Sequence, residues 1–496
     1  MKSIMREPRL EARSSTATAA GQGHGAPSFR TRNKPDLPNR PTNHPAGHHL
    51  VQPWDMLGKR VPIERSRLDR AEGVYIYDDQ GKKLLDGPGG MWCVQVGYGR
   101  REIADAMADQ AMSMAYNSPW SSTTKAADVL AARIAEKTPG DLNQIFFTTG
   151  GSTAVDSALR LVQFVNNMTG RPQKKLILAR GDAYHGSTYL SASCSGKMRD
   201  RTYLDFATDL VRPLSSPNPF RRPEGMSVEA FCNFLVKEME DKILAEGPDR
   251  VAAFIAEPVM ASGGVIVPPE GYHRRVAALC RKYDIVQIAD EVVTAFGRLG
   301  HWFASEDVFG FTPDIITFAK GLTSGYVPLG GMAVSEALLD RIPKSERGVM
   351  FANGYTYSSH PVSCAAALAS MDIIERENLL EHTRDIAPYF QDRLRELEDL
   401  PLVGEVRGVG LMACVDCVAD RVSKNPLELD YDVGNRIDAY CHELGLIVRP
   451  MINMCVMSPP LVIERPQIDT MVEILRTGIE HTMTDLEAEG LWHPGA

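Results

Sequence analysis

Four short stretches hold residue types that could do chemistry together, and each stands at the end of an apolar run. In TTGGST, Thr148 to Thr153, Gly150, Gly151 and Ser152 open the helical pattern AVDSALRLVQFV. Bare backbone N–H groups at a helix N-terminus make a phosphate seat. An ordinary N-cap by Ser152 or Thr153 fits the same residues. The stretch matches neither GxxxxGK[ST] nor GxGxxG, which disfavours nucleotide binding. In DAYHGST, Asp182 to Thr188, Tyr184 could stack on a flat heteroaromatic ring, and Gly186 permits close backbone approach. The Tyr184-His185 pair could equally be structural. In IADEV, Ile288 to Val292, Asp290 ends an apolar strand pattern, where a carboxylate needs a partner. A protonated pyridine nitrogen would be one; an N-cap or an ion pair would be another. In TFAKGLTSGYVPLGG, Thr317 to Gly331, Lys320 likewise ends an apolar run. A lysine there either reaches for solvent or is desolvated, which lowers its pKa and makes it nucleophilic towards an aldehyde.

A phosphate seat, a stacking ring, a pyridinium partner and a reactive amine are the four requirements of a pyridoxal 5'-phosphate (PLP) site. Their convergence implies that cofactor. Cys414 and Cys417 form a CxxC, but it lies in a strand-like stretch, and no second pair or histidine completes a zinc set. No metal is expected. Trp92 and Trp120 could line a substrate pocket or simply pack in the core.

These residues need a rigid frame. QIFFTT (144–149), KLILAR (175–180), VAAFIAE (251–257), DIVQIADE (284–291) and DIITFAK (314–320) read as strands buried on both faces. Helical stretches such as Ala126–Lys137 and Tyr272–Tyr283 separate some of them, implying an α/β domain with a mainly parallel sheet. Gly73 to Asp86 reads as a β-hairpin turning at Asp78-Asp79-Gln80-Gly81. Beyond Pro361 come helical patterns, the strand-like GVGLMACVDCV and LGLIVRP, and a final helix through Thr470–Glu487. The expected organisation is an arm over 1–46, part of a small domain over 47–95, a large domain over 96–361, and the rest of the small α+β domain over 362–496. The arm is rich in Ala, Ser, Thr, Gly, Pro, Arg and His and reads as disordered or draped. A transit peptide is the alternative, although Glu7, Glu11 and Asp36 interrupt it.

With 496 residues, 44% hydrophobic and 24% charged, the chain can bury a large core. Its formal net charge of −9 does not support a nucleic-acid or anionic-membrane partner. No run of about 18 apolar residues is present to span a bilayer. Nine scattered cysteines fit reduced thiols in a cytoplasm better than a disulfide framework.

From about His49 to the C-terminus the chain resembles the class III aminotransferases, fold-type I PLP enzymes often called ω-transaminases. The stretch from Ile288 to Gly331 is close to the family signature, and LDGPGGMWCVQVGYG, AYHGST, AEPV, TYSSHP and VRGVGLM follow the family's order. The resemblance makes Lys320 the Schiff-base lysine and Asp290 the partner of the pyridine nitrogen. It places Val292 on one face of the ring and Tyr184, next to His185, on the other. Gly151 and Ser152 would cradle the phosphate, joined by Thr356 of a neighbouring subunit, and Glu257 would help to position Asp290. It further implies a homodimer, or a dimer of dimers, with sites at the interface.

Two departures from the family pattern matter. Gly150 and Thr153 replace the first serine and the acid of the usual SGSE loop. Ser262 stands where relatives using glutamate and 2-oxoglutarate often carry a glutamate. With Arg449 at the place of a mobile arginine, this is similar to the amine:pyruvate branch. The implied reaction moves an amino group from a primary ω-amine to pyruvate, giving an aldehyde or ketone and alanine. Diamines, β-alanine, taurine and aryl alkyl amines all remain open as donors. A PLP racemase, aminomutase or decarboxylase would share Lys320 and Asp290, and a non-catalytic relative would be expected to have lost one of them.

Overall fold

Strands that carry apolar residues on both faces must be covered on both, and the central sheet shows how. The computed structural model describes residues 50–55, 57, 65–424 and 430–494, so the expected arm over 1–46 lies outside the described residues. Met1–Arg65 and Ser66–Ala496 form separate units, and every described helix and strand belongs to the second. The central sheet runs in the order Gln144–Thr148, Gly330–Val334, Ile315–Phe318, Val286–Asp290, Val251–Ala256, Leu176–Arg180, Val211–Leu214. The last five are mutually parallel, and Gly330–Val334 is antiparallel to both its neighbours.

Alternation along these strands sends successive side chains to opposite faces. Ile177, Ala179, Ala253 and Ile255 pack with Val155, Ala158, Leu161 and Val162 of the helix Gly151–Met168. Leu176, Leu178, Phe254 and Ala256 pack with Leu235 and Met239 of Val228–Glu246 and Val276 of Tyr272–Lys282. Helices therefore cover both faces, as the unbroken apolar runs require. This is the α/β architecture expected from the sequence.

Two strands of the sheet escaped that expectation. Val211–Leu214 contains Pro213, which an edge strand tolerates because one side needs no ladder donor. Gly330–Val334 hides inside a glycine stretch, yet Gly330 is required there. A Cβ on it would stand 2.6 Å from the backbone of Gly150.

Two smaller sheets flank this core. Leu68–Glu72, Tyr75–Asp78 and Lys83–Asp86 form an antiparallel meander, one strand more than the hairpin read from the sequence. Leu446–Ile447 joins it in parallel beside Leu85 and Asp86. The other sheet runs Val403–Val409, Met412–Cys417, Met454–Met457, Arg449–Met451. The stretch expected as one strand-like piece is thus two antiparallel strands, turned at Gly410 with φ +59°. Cys414 and Cys417 are buried three apart on one strand, hence on opposite faces. Among the described residues no group of three or more His, Cys, Asp or Glu side chains could hold a metal. No described helix is long and apolar enough to cross a membrane.

Asp416 ties this last sheet together. Its buried carboxylate accepts from Arg407 Nη1 at 2.8 Å, Asn453 Nδ2 at 2.9 Å and Arg221 Nη2 at 3.1 Å. Removing it strands much of the buried Arg407 charge. Asp416→Ala is therefore expected to cost roughly 3 kcal/mol, seen as a lower midpoint in denaturant unfolding.

Candidate active site

In an open α/β sheet the carboxyl ends of parallel strands leave a crevice for ligands. Asp290 is the last residue of its strand, Glu257 directly follows Val251–Ala256, and Lys320 lies two residues beyond Ile315–Phe318. The loop carrying Tyr184 and His185 follows Leu176–Arg180, and Gly150-Gly151 follows Gln144–Thr148.

Asp290 is 4% exposed, so its charge must be met by donors. Oδ2 lies 2.7 Å from His185 Nδ1, and since an ionised carboxylate only accepts, Nδ1 donates. Oδ1 accepts from the Val292 N–H and from Thr317 Oγ1, both at 3.2 Å. Thr317 stands directly opposite Asp290 on the neighbouring strand. The buried Nε2 of His185 has no partner among the described residues.

Glu257 makes no hydrogen bond to Asp290 among the described residues. Its oxygens accept from the Tyr184 and Ala261 N–H groups, both at 3.1 Å, so it anchors two loops. Burial raises its pKa, and the nearby His185 and Arg180 partly oppose this. Glu291, fully buried, accepts from the Ala304 and Ser305 N–H groups and the Thr294 hydroxyl, which gives it a structural place.

The helix Gly151–Met168 begins with Gly150 and no side-chain cap. The capping alternative therefore does not hold. Ser152 Oγ instead accepts from the Ser187 N–H at 3.1 Å, and Thr153 Oγ1 donates to Gly150 O at 2.8 Å. The first-turn N–H groups, the positive end of a helix, thus keep no side-chain acceptor of their own. A Cβ on Gly151 would stand 2.9 Å from a γ-methyl of Val292, so Gly151 lets the helix start close over the Asp290 loop.

Lys320 has φ +42°, a left-handed backbone rare for a lysine and of the strained kind that gathers at functional sites. Burial holds its amine below the usual lysine pKa, and Arg449 adds to that, while Asp290, Cys93 and Glu257 pull the other way. Nζ has no hydrogen bond or ion pair among the described residues.

Arg449 opens Arg449–Met451, and its guanidinium sits 5.6 Å from the centre of the buried Trp92 ring. Their meeting is built by tight threading. Gly87 N–H donates to Ile447 O at 3.1 Å and Ser458 N–H to Gly87 O at 2.8 Å. A Cβ on Gly89 would stand 2.4 Å from Ser458 O. Trp120 and Thr356 line an open groove of about 900 Å³ with Tyr116 and Tyr355. Its lining includes none of Lys320, Asp290, Tyr184 or Arg449. Sequence reasoning overlooked Thr317, which only strand register places beside Asp290. It also overlooked Cys93 and Lys197, which share the surroundings of Lys320 and Glu257.

The residues fit PLP on their own geometry: an uncapped helix start opened by glycines, a compensated buried carboxylate, an orphaned imidazole nitrogen and a desolvated amine. Residues 59–479 match the family model described as Aminotransferase class-III. A putrescine–pyruvate aminotransferase of Pseudomonas aeruginosa is 40% identical over 438 residues, covering 88% of this chain and 94% of that protein. A mitochondrial gamma-aminobutyrate transaminase 1 of Oryza sativa subsp. indica is 37% identical over 478 residues, covering 94% and 92%. The omega transaminase of Pseudomonas jessenii solved in complex with PMP superposes with a TM-score of 0.83 at 35% identity, covering 87% of this chain and 94% of that one. The chain belongs to the class-III aminotransferases, and its cofactor is pyridoxal phosphate.

Gly186 closes the site from the Tyr184 side with φ +138°, and a Cβ there would stand 2.6 Å from Ser152 Oγ and 2.5 Å from Ser191 Oγ. Gly186→Ala must push the loop away from the helix start. A loss of about 1–3 kcal/mol in denaturant unfolding is expected, with weaker retention of cofactor on dialysis.

Proposed function

We propose that the chain transfers an amino group from a primary ω-amine to pyruvate, giving an aldehyde or ketone and alanine. The observation that carries this reading is Arg449. Its guanidinium is held over Trp92, acts electrostatically on Lys320, and has no ion pair with any acid among the described residues. An arginine without an acid partner, whose charge is felt at Lys320, suits a keto acid's carboxylate, gripped through two parallel hydrogen bonds. By the family resemblance, Ser262 stands where an acid would otherwise pair with that arginine. The Pseudomonas aeruginosa relative is named for pyruvate, which supports the acceptor. The rice relative is named for gamma-aminobutyrate, so the donor must be argued from the pocket.

Pyridoxal phosphate supplies an aldehyde that captures the amine and a ring that spreads the charge left when the carbon loses its proton. In this reading the chain's own residues do the rest. Lys320, whose amine burial holds below the usual lysine pKa, takes the proton from the reacting carbon and returns it. Asp290, oriented by His185 and Thr317, would hold a proton on the ring nitrogen. Val292 and Tyr184 would hold the ring, and the N–H groups of Gly151 and Ser152 the phosphate. Glu257 fixes the Tyr184 loop and so steadies the pocket. Thr356 completes the phosphate seat of the partner subunit in a homodimer or dimer of dimers. The open groove that Thr356 lines with Trp120, itself 78% exposed, supports such a face. A cytoplasmic setting fits nine free cysteines, eight of them buried.

Borohydride should fix the cofactor to one peptide, and mass spectrometry should find it on Lys320; a different lysine would overturn the assignment. Asp290→Asn should lower turnover by several orders of magnitude while cofactor is still retained. Losing a charge-assisted contact of ~1.5–3 kcal/mol, Arg449→Ala should raise the KM for pyruvate about 10- to 100-fold and spare an uncharged amine. Better kinetics with 2-oxoglutarate than with pyruvate would refute the acceptor.

A further inference from the structure

Lys320 opens a tight turn, Lys320–Thr323, that is left-handed at its first residue and again just beyond its last, where Ser324 has φ +51°. Such a backbone persists only where its surroundings over-determine it. Gln95, fully buried, meets the turn at both ends. The Gln95 and Val96 N–H groups donate to Ser324 Oγ at 2.9 and 3.0 Å. A Cβ on Gly321 would stand 2.6 Å from Gln95 Nε2 and 2.8 Å from its Cγ, so this side chain lies directly on the residue after Lys320. Gly321 is not left-handed, so it is the contact with Gln95 and not the backbone that requires a glycine there. The amide itself is fixed from behind. Nε2 donates to Phe296 O at 3.1 Å and to Ala295 O at 3.4 Å, and Oε1 accepts from Arg298 Nη2. Arg298, also buried, donates from Nη1 to Leu411 O at 3.0 Å and Pro459 O at 2.5 Å. The Gln95 carbonyl accepts from the Leu461 N–H at 2.8 Å. Every polar group of Gln95 is thereby engaged.

Ala295, Phe296 and Arg298 belong to the segment that leaves the sheet at Asp290, and Gly321 to the turn that begins at Lys320. Gln95 stands between the two. A ring held at its nitrogen by Asp290 and captured at its aldehyde by Lys320 needs those side chains at a fixed separation. We propose that Gln95 is a positioning residue that sets this separation, its amide serving as a rigid spacer between the backbone at Ala295 and Phe296 and the turn at Gly321. It acts through Lys320 and not on the substrate. A smaller residue lets the turn relax towards an ordinary backbone and carries the amine out of line. This rests on the role given to Lys320 in the reading above and deepens it.

The test is a double-mutant cycle on the holoenzyme: Gln95→Ala, Gly321→Ala, and the two together. Each single variant should lower kcat on the order of 10- to 100-fold, while the KM for amine and for pyruvate changes less than about threefold. In the double variant the methyl at 321 enters space vacated at 95. Its loss of kcat should therefore be about tenfold smaller than the product of the two single losses. Visible circular dichroism of the bound cofactor reads how the ring is held, independently of turnover. Per bound cofactor it should fall in each single variant and return in the double. Asp416→Ala controls for lost stability alone: it should lower the unfolding midpoint and leave kcat and the dichroism unchanged. If Gln95→Ala does not fold, Gln95→Met, which keeps the bulk and drops the amide's anchors, takes its place in the comparison of kcat, KM and dichroism. Losses that simply multiply, or single variants that are less stable yet keep kcat and dichroism, would overturn the proposal. Failure of the reading beneath it looks different: borohydride would then fix the cofactor to a lysine other than Lys320.

Discussion

A carboxylate inside a protein stays charged only while donors surround it, and the site is organised around that requirement at Asp290. Its donors come from three separate segments: His185 from the loop after Leu176–Arg180, Thr317 from the neighbouring strand, and the Val292 N–H from its own loop. Each segment is in turn fixed by something else. Glu257 holds the Tyr184 backbone, Ser195 holds that of His185, and the pairing of Asp290 with Thr317 sets the register of two central strands. A slip of one residue in that pairing would turn Thr317 to the opposite face and leave Oδ1 short of a donor. The packing of the sheet and the chemistry of the crevice are thus one constraint seen from two sides.

The balance of charge in the crevice follows from the same economy of space. Asp290 and Glu257 are buried acids; Lys320, Lys197 and Arg449 are the cations near them. Both oxygens of Glu257 accept from backbone N–H groups, and no ion pair joins it to a lysine among the described residues. The site therefore contains cations held in check by burial rather than by salt bridges. Such groups respond strongly to an incoming anion, because little has to be broken before it binds.

The chemistry was more legible in the sequence than the frame. Lys320 and Asp290 stand out because a charged residue ending an apolar run is costly, and the fold does place both at strand ends. Five of the seven central strands are visible as unbroken apolar runs. Val211–Leu214 is not, because Pro213 reads as a breaker, nor is Gly330–Val334, because its glycines serve close packing rather than a turn. Contacts set by register or by threading leave no local trace: Thr317 with Asp290, and Arg449 with Trp92. Trp120 shows the limit of composition. An aromatic residue flagged for a pocket lines an open groove with Thr356, and Lys320 is not part of that lining. The uncapped start of Gly151–Met168 was one of two readings the sequence left open, since Ser152 had the right type for a cap and turned elsewhere.

The parallel pairing of Leu446–Ile447 with Leu85 and Asp86 joins two ends of the chain. During synthesis the N-terminal meander emerges first, with the edge of Lys83–Asp86 bare. At about 5–20 residues per second, the strand that covers it leaves the ribosome some tens of seconds later. Until then that edge is a free template for another chain. The same late segment delivers Arg449 to Trp92. A nascent chain stalled or cleaved before Leu446 would hold a complete central sheet, with Lys320 and Asp290 already in register. It would lack both the guanidinium and the lid on its open edge. Such a species would carry part of its site and an uncovered strand edge.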